Sequence, residues 1–140
     1  MPPKSRKEPQ SALNGRFEIV SHKGAQIAVA NYSLATRDEV WALTNHLDEW
    51  LSRQAPNSAN LLFDMHRPYY EAAHVNHWKK SLGRYDDFIR KSCFINASPF
   101  IQLMLPTLRA FASLTGAPMK KNRGVFFNEK DAAMDWLSEP

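Results

Sequence analysis

Three histidines and two carboxylates between positions 64 and 77 are the side chains of this sequence best suited to chemistry: Asp64, His66, Glu71, His74 and His77. Imidazole and carboxylate groups are common ligands of zinc and iron. Their spacing, however, matches neither His-Glu-x-x-His nor a paired Glu-x-x-His array. Glu71, His74 and His77 follow one another in steps of three, and each step drifts by about 60° around a helix, which splays the outer two. We therefore predict no metal and no cofactor.

The sequence offers little for nucleophilic or phosphate chemistry. Cys93 is its single cysteine and lies in the apolar run Ser92-Cys93-Phe94-Ile95. A thiol in such a run behaves as a small buried hydrophobe rather than as a reactive thiolate. The five glycines form no Gly-x-x-x-x-Gly-Lys loop, no Gly-x-Gly-x-x-Gly loop and no Gly-x-Ser-x-Gly elbow. The sequence therefore predicts a protein that is not an enzyme.

A second group of polar and aromatic side chains follows the short apolar run at residues 60–63, which is typical of a buried strand. Because ligands of open α/β sheets bind at the carboxyl ends of strands, this group supplies the candidate ligand-binding residues. They are Asp64, His66, Arg67, Tyr69 and Tyr70. The alternative is a plain surface loop, in which the aspartate caps a turn, the arginine pairs with a carboxylate and the tyrosines lie at the surface.

The elements that must position these residues alternate along the chain. Residues 17–30 predict two strands joined by a tight glycine turn, and Thr36 with Glu39 forms a capping box that predicts the start of a helix. Pro68 is a suitable first helical residue and predicts that the next helix starts there. Helices and strands continue to alternate, which indicates parallel strands connected by right-handed crossovers. The predicted fold class is α/β, with a mixed sheet of about five strands, the first hairpin antiparallel and the rest parallel, and about four helices.

Length and composition fit one domain preceded by a tail. Residues 1–15 carry three of the nine prolines and a run of charges, which predicts a disordered basic tail. Residues 16–140 are predicted to form a single domain, since a chain of 140 residues can bury about two thirds of its unfolded surface.

Charge and cysteine content restrict the partners and the compartment. The net charge of +4 is modest, and outside the tail the adjacent basic pairs are interpreted as solvated ends of helices or strands: Lys79-Lys80, Arg90-Lys91 and Lys120-Lys121. Nucleic-acid binders show a denser basic face, so no nucleic acid partner is predicted. A single cysteine and a first segment without a signal-peptide core favour a cytoplasmic location.

The segment from Pro99 to Thr115 predicts a helix that is apolar around most of its circumference. Ser98 is a suitable N-cap and Gly116 a suitable stop. Four large side chains on this helix define a candidate interaction face: Phe100, Leu103, Phe111 and Leu114. Three interpretations remain open, namely a helix covered within the domain, a face for self-association, and a wall of an apolar ligand pocket. No membrane span is predicted, because polar residues interrupt the segment.

The chain resembles the STAS family, and within it the SpoIIAA-like branch of small bacterial proteins. The sharpest local likeness is the run Phe127-Asn128-Glu129-Lys130-Asp131-Ala132-Ala133-Met134-Asp135-Trp136-Leu137, and Asp64 lies where the family often has an aspartate. The resemblance covers the element order of residues 16–138. It implies a SpoIIAA-like βαβ superhelix with successive strands side by side, and a regulatory, protein-binding role.

One stretch departs from that family. Phosphorylatable members carry a serine in an Asp-Ser-Ser-Gly-like turn, whereas this chain has Met65-His66-Arg67-Pro68-Tyr69-Tyr70. The resemblance therefore does not imply a serine phosphorylation switch. Two functions are predicted. The first is a non-catalytic STAS-like module that binds a protein partner or forms a homodimer, and the second is a domain that binds or senses a small apolar molecule or lipid.

Overall fold

The structure is a computed structural model that describes residue 13, residues 15–103 and residues 122–140. Its strands are β1 (Phe17–His22), β2 (Ala25–Asn31), β3 (Ala59–Asp64), β4 (Ile89–Ile95) and β5 (Val125–Phe127). Its helices are α1 (Arg37–Ser52), α2 (Ala72–Tyr85), the start of α3 at residues 99–103, and α4 (Lys130–Ser138), with a 3-10 turn at Asp86–Phe88. Apart from Leu13 and Gly15, the predicted tail lies outside the described residues.

The strands form one sheet in the order β1-β2-β3-β4-β5. β1 and β2 pair antiparallel, and the other three pairs are parallel. The predicted fold class is therefore confirmed, including the antiparallel first hairpin. The hairpin turn places Lys23 at φ 49° and Gly24 at φ 82°. Two left-handed residues give the turn the twist that matches its flanking strands, which explains the glycine.

Helix α1 begins at the predicted capping box. Thr36 Oγ1 accepts from the Glu39 amide at 3.3 Å, and Glu39 Oε1 accepts from the Thr36 amide at 2.9 Å. Two of the amides that lack partners at a helix start are thereby satisfied. The apolar residues that recur every three or four positions along α1 face the sheet and are buried: Val40, Leu43, Leu47 and Leu51.

The sheet is covered on both faces because side chains alternate along each strand. Helix α4 covers the face that carries Val29, Leu62 and Cys93, packing Ala133 and Leu137 against it. Helix α1 covers the opposite face, and α2 packs beside it. Cys93 is fully buried, and burial raises its pKa to about 12, which leaves the thiol protonated at neutral pH.

Arg90 and Lys91, predicted to be a solvated pair, instead cap the end of α4. Lys91 Nζ donates to the carbonyls of Trp136 at 2.8 Å and Glu139 at 3.1 Å, and Arg90 Nη2 donates to the carbonyl of Leu137 at 2.5 Å. The last carbonyls of a helix lack partners within it and attract cations. Lys91 is only 5% exposed, and its ammonium group stabilises the end of α4.

Helix α2 begins at Ala72, four residues after the predicted start at Pro68. Arg67, which directly precedes Pro68, has φ 52°, and this value lies outside the helical region. The Tyr69 amide then donates to the Ala35 carbonyl at 2.9 Å, so the chain first binds the loop that leads into α1. Among the described residues, no helix combines the length and apolar character needed to cross a membrane.

Candidate functional site

The predicted ligand-binding residues lie in the loop that follows β3, at the carboxyl edge of the sheet. Asp64 Oδ1 accepts from Asn96 Nδ2 at 3.1 Å and from the His66 amide at 3.2 Å. Tyr69 Oη donates to Glu71 Oε2 at 3.4 Å. The bond from the His66 amide is the turn cap of the alternative interpretation, and the bond from Asn96 joins the loop to the residue that follows β4.

Tyr70 contacts the start of α3 and joins two regions that were predicted separately. Its ring stacks on Phe100, with centroids 5.3 Å apart and planes 10° apart. Leu103 lies one turn further along the same helix and is 72% exposed. We call Tyr69, Tyr70, Phe100 and Leu103 the aromatic edge, since all four are exposed at the carboxyl edge of the sheet. The other predicted members of the interaction face, Phe111 and Leu114, lie outside the described residues.

The histidines and carboxylates at positions 64 to 77 do not converge on one point. Glu71 pairs with Arg37 at 3.1 Å, and His77 Nε2 lies 2.6 Å from Asp48 Oδ2 on α1. His74 points into an aromatic cluster instead. Within residues 15–103 and 122–140, no group of three or more such side chains has a geometry that could hold a metal ion.

The feature that sequence reasoning missed is an apolar cavity of about 110 Å³ between α1, α2 and the sheet. Helices α1 and α2 form its outer walls, and β3 and β4 form its floor. Aliphatic and aromatic side chains dominate the lining, with a few polar groups among them: Tyr32, Thr44, Leu47, Asp48, Leu51, Leu61, Phe63, Met65, Trp78, Ser81, Tyr85, Ile89 and Phe94. A cavity of about 150 Å³ in another protein binds benzene, so this somewhat smaller one can hold at most a single small ring.

Polar groups of the cavity gather around Asp48. Its Oδ2 accepts from His77 Nε2 at 2.6 Å and from Ser81 Oγ at 3.3 Å. Because His77 and Ser81 lie four residues apart on α2, they share one side of that helix and both reach the same carboxylate. Asp48 therefore joins the two helices at the cavity wall, with its side chain only 17% exposed.

A second polar pair lies deeper in the cavity. Tyr32 Oη and Thr44 Oγ1 are 2.8 Å apart and both side chains are buried. Burial raises the pKa of Tyr32, while its hydrogen bond to Thr44 opposes that shift and the charge of Asp48 adds to it. The phenol is therefore neutral and its hydrogen bond is made within the protein.

His74 stands next to the cavity wall formed by Trp78. It is 1% exposed, with its ring centroid 4.3 Å from that of Trp41 and 6.1 Å from that of Trp78. Its Nδ1 accepts from the Glu71 amide at 3.1 Å, which places the proton of the neutral ring on Nε2. That Nε2 finds no hydrogen-bond partner among the described residues. Burial lowers the pKa of His74, so the neutral ring is favoured.

Part of this site left a signal in the sequence. The spacing of Leu43, Leu47 and Leu51 predicts the buried face of α1, and Asp48 follows directly beside it. The sequence gives only two hints of the polar group around Asp48. One is a carboxylate at the margin of a buried helical face, and the other is a His-x-x-x-Ser pair on the next helix. Neither indicates that the two helices stand far enough apart to leave a cavity.

Comparison with models of protein families finds no match for this chain. Comparison with curated proteins likewise finds no significant similarity.

Proposed function

We propose that this protein is a non-catalytic binding domain that takes up a small apolar molecule in the cavity between α1, α2 and the sheet. The observation that carries the proposal is the cavity itself, about 110 Å³ lined mainly by aliphatic and aromatic side chains. Ligand sites of this kind are apolar pockets with a few convergent polar groups, as found here around Asp48.

The energetic cost of the cavity supports the proposal. Space left unfilled beside apolar side chains deprives them of dispersion contacts, which lowers the folding stability. A leucine or methionine exchanged for a larger side chain would remove that cost. A ligand that fills the same space buries apolar surface and thereby stabilises the folded protein.

Fluorobenzene is a suitable first probe because its single ring fits the volume and its fluorine reports binding by NMR. We expect fluorobenzene at millimolar concentration to shift its fluorine resonance and to raise the melting temperature of the protein. Leu61 points into the cavity, whereas its neighbour Leu62 packs on the other face of the sheet. Leu61→Phe should abolish binding, and Leu62→Phe should leave it intact. A fluorine spectrum unchanged by the wild-type protein contradicts the proposal.

The aromatic edge supports a second candidate function, association with another copy of the chain. Phe100 is 53% exposed and Leu103 72% exposed, and side chains of this kind clustered on one surface mark contacts. Light scattering after size-exclusion chromatography should then report a dimer that Leu103→Glu converts to a monomer. Ile19→Glu, at an exposed apolar site on β1, is the matched control. A wild-type protein that stays monomeric at high concentration contradicts this candidate.

Either function suits a cytoplasmic regulatory module of the STAS-like, SpoIIAA-like kind that the sequence resembles. The side-by-side strand order and the antiparallel first hairpin support that proposed kinship. The loop after β3 carries Met65 to Tyr70 where the phosphorylatable members have a serine, so regulation through the cavity or the aromatic edge is proposed in place of serine phosphorylation.

A further inference from the structure

Several polar side chains in and beside the cavity bind one another. The hydroxyl proton of Ser81 is directed to Asp48 Oδ2, and His77 Nε2 lies against the same oxygen. Tyr32 and Thr44 share a hydrogen bond with each other. Tyr32, Thr44, Ser81 and His77 thus make their hydrogen bonds within the protein.

Asp48 Oδ1, in contrast, receives no hydrogen bond from the described residues, since both bonds to this carboxylate end on Oδ2. A carboxylate has about four acceptor positions, so it can accept further donors. Its side chain is largely shielded from water, at 17% exposed. A shielded carboxylate oxygen beside an apolar cavity is a strong acceptor, because hydrogen bonds to ionised groups are about twice as strong as neutral ones.

We propose that the ligand is a single-ring molecule with one N–H or O–H donor, of the phenol or aromatic amine kind, whose donor group binds Asp48 Oδ1 while its ring occupies the apolar cavity. This inference rests on the proposed function of the cavity. It excludes carboxylic acids, including fatty acids, because their ionised head would lie against the charge of Asp48. Ethers and other acceptor-only molecules have no donor for Asp48 Oδ1 and would gain no hydrogen bond there.

The arrangement of the walls agrees with this orientation. Asp48 lies next to Leu47 on α1, and one turn further along the helix Leu51 also lines the cavity. A ring lying against Leu47 and Leu61 would therefore lie beside Asp48. The rings of Trp78 and Tyr85 line the α2 side and supply aromatic contact surface.

The test compares phenol with fluorobenzene, two rings of nearly equal size of which only phenol has a donor. Both dissociation constants are measured on the wild-type chain of 140 residues and on Asp48→Leu, with phenol competing against the fluorine signal. Loss of a hydrogen bond to a charged group should raise the dissociation constant of phenol, relative to that of fluorobenzene, by about ten- to a hundredfold. Benzoate should not compete with fluorobenzene on the wild-type protein.

Two further variants keep the result interpretable. Asp48→Asn preserves the size of the side chain and removes its charge, so the preference for phenol should fall even if Asp48→Leu does not fold. Asp38→Asn makes the same chemical change on an exposed part of α1 outside the cavity and should alter neither dissociation constant.

The outcomes separate the inference from the proposed function. Both rings could bind with a ratio of dissociation constants that is the same in the wild type, Asp48→Leu and Asp48→Asn. The cavity then binds apolar molecules, but the role proposed for Asp48 is wrong. If benzoate competes as well as phenol, the exclusion of acids is wrong. If neither ring binds the wild-type protein, the proposed function fails and the inference fails with it.

Discussion

Tyr70, in the loop after β3, stacks on Phe100 at the start of α3, with ring centroids 5.3 Å apart and planes 10° apart. The two residues are thirty positions apart in the sequence. The contact therefore unites a loop predicted to bind ligands with a helix predicted to bind partners. Both belong to one surface at the carboxyl edge of the sheet.

The first prediction concerns that contact. A double-mutant cycle with Tyr70→Ala and Phe100→Ala should give a coupling energy of about 0.5–1 kcal/mol, because the rings are stacked but partly exposed. Chemical denaturation of the four proteins measures it. Additive effects of the two substitutions would mean that the rings do not stabilise one another.

The second prediction uses the two neighbouring leucines of β3. Leu61→Phe should raise the free energy of unfolding by about 0.5–2 kcal/mol, because the larger side chain fills cavity space. Leu62→Phe should lower it by about 1–3 kcal/mol, because Leu62 is fully buried in the packed core beneath α4. Urea denaturation without ligand measures both. An equal loss of unfolding free energy in the two variants would contradict the presence of free space beside Leu61.

The third prediction concerns the pH dependence of stability. Burial lowers the folded-state pKa of His74 below its ordinary value of 6.5. Glu71 opposes the shift, and Arg37 and His77 add to it. The unfolded chain therefore takes up this proton more readily than the folded protein. The contribution of His74 to stability is complete above pH 6.5 and is lost as the pH falls through the folded-state pKa.

Substitution of His74 isolates that contribution. His74→Phe keeps an aromatic ring between Trp41 and Trp78 but cannot bind the proton. Between pH 8 and pH 5, the free energy of unfolding should therefore fall less steeply in His74→Phe than in the wild type, as measured by denaturation at each pH. Parallel curves would show that His74 titrates alike in the folded and unfolded chains.

The fourth prediction concerns Arg123, which is 2% exposed and precedes β5. Its guanidinium donates to Asp86 Oδ1 at 2.8 Å and to the carbonyl of Arg90 at 2.8 Å, and it also binds the carbonyl of Ile89. Arg123→Ala should lower the free energy of unfolding by about 3–5 kcal/mol, because it leaves buried acceptors unpaired. Thermal and chemical denaturation would show the loss.

Two variants control for the charge and the geometry of Arg123. Arg123→Lys should recover only part of the stability, since an ammonium group cannot reproduce the planar fork of donors. Arg53→Ala removes an exposed partner of Glu49 and should change stability by no more than about 0.5 kcal/mol. Comparable losses at positions 53 and 123 would contradict a structural role for the buried arginine.

Local signals in the sequence account for most of the fold. The Lys23-Gly24 turn, the Thr36 and Glu39 capping box and the apolar period of α1 each act over a few residues, and the structure contains all three. Alternation of helices with strands then restricts the sheet to parallel neighbours. The start of α2 was misplaced because Pro68 is a suitable first helical residue, whereas the backbone at Arg67 and the hydrogen bond from Tyr69 to Ala35 delay the helix.

The sequence by itself determined the order of the elements and which face of each one is buried, because periodicity, caps and turns depend on neighbouring residues. Only the tertiary structure decided the cavity and its chemistry. Asp48 meets His77 across 29 positions of sequence and Ser81 across 33, and these contacts depend on how closely α1 and α2 approach each other over the sheet. That distance follows from the packing of many side chains at once, so no local pattern encodes it.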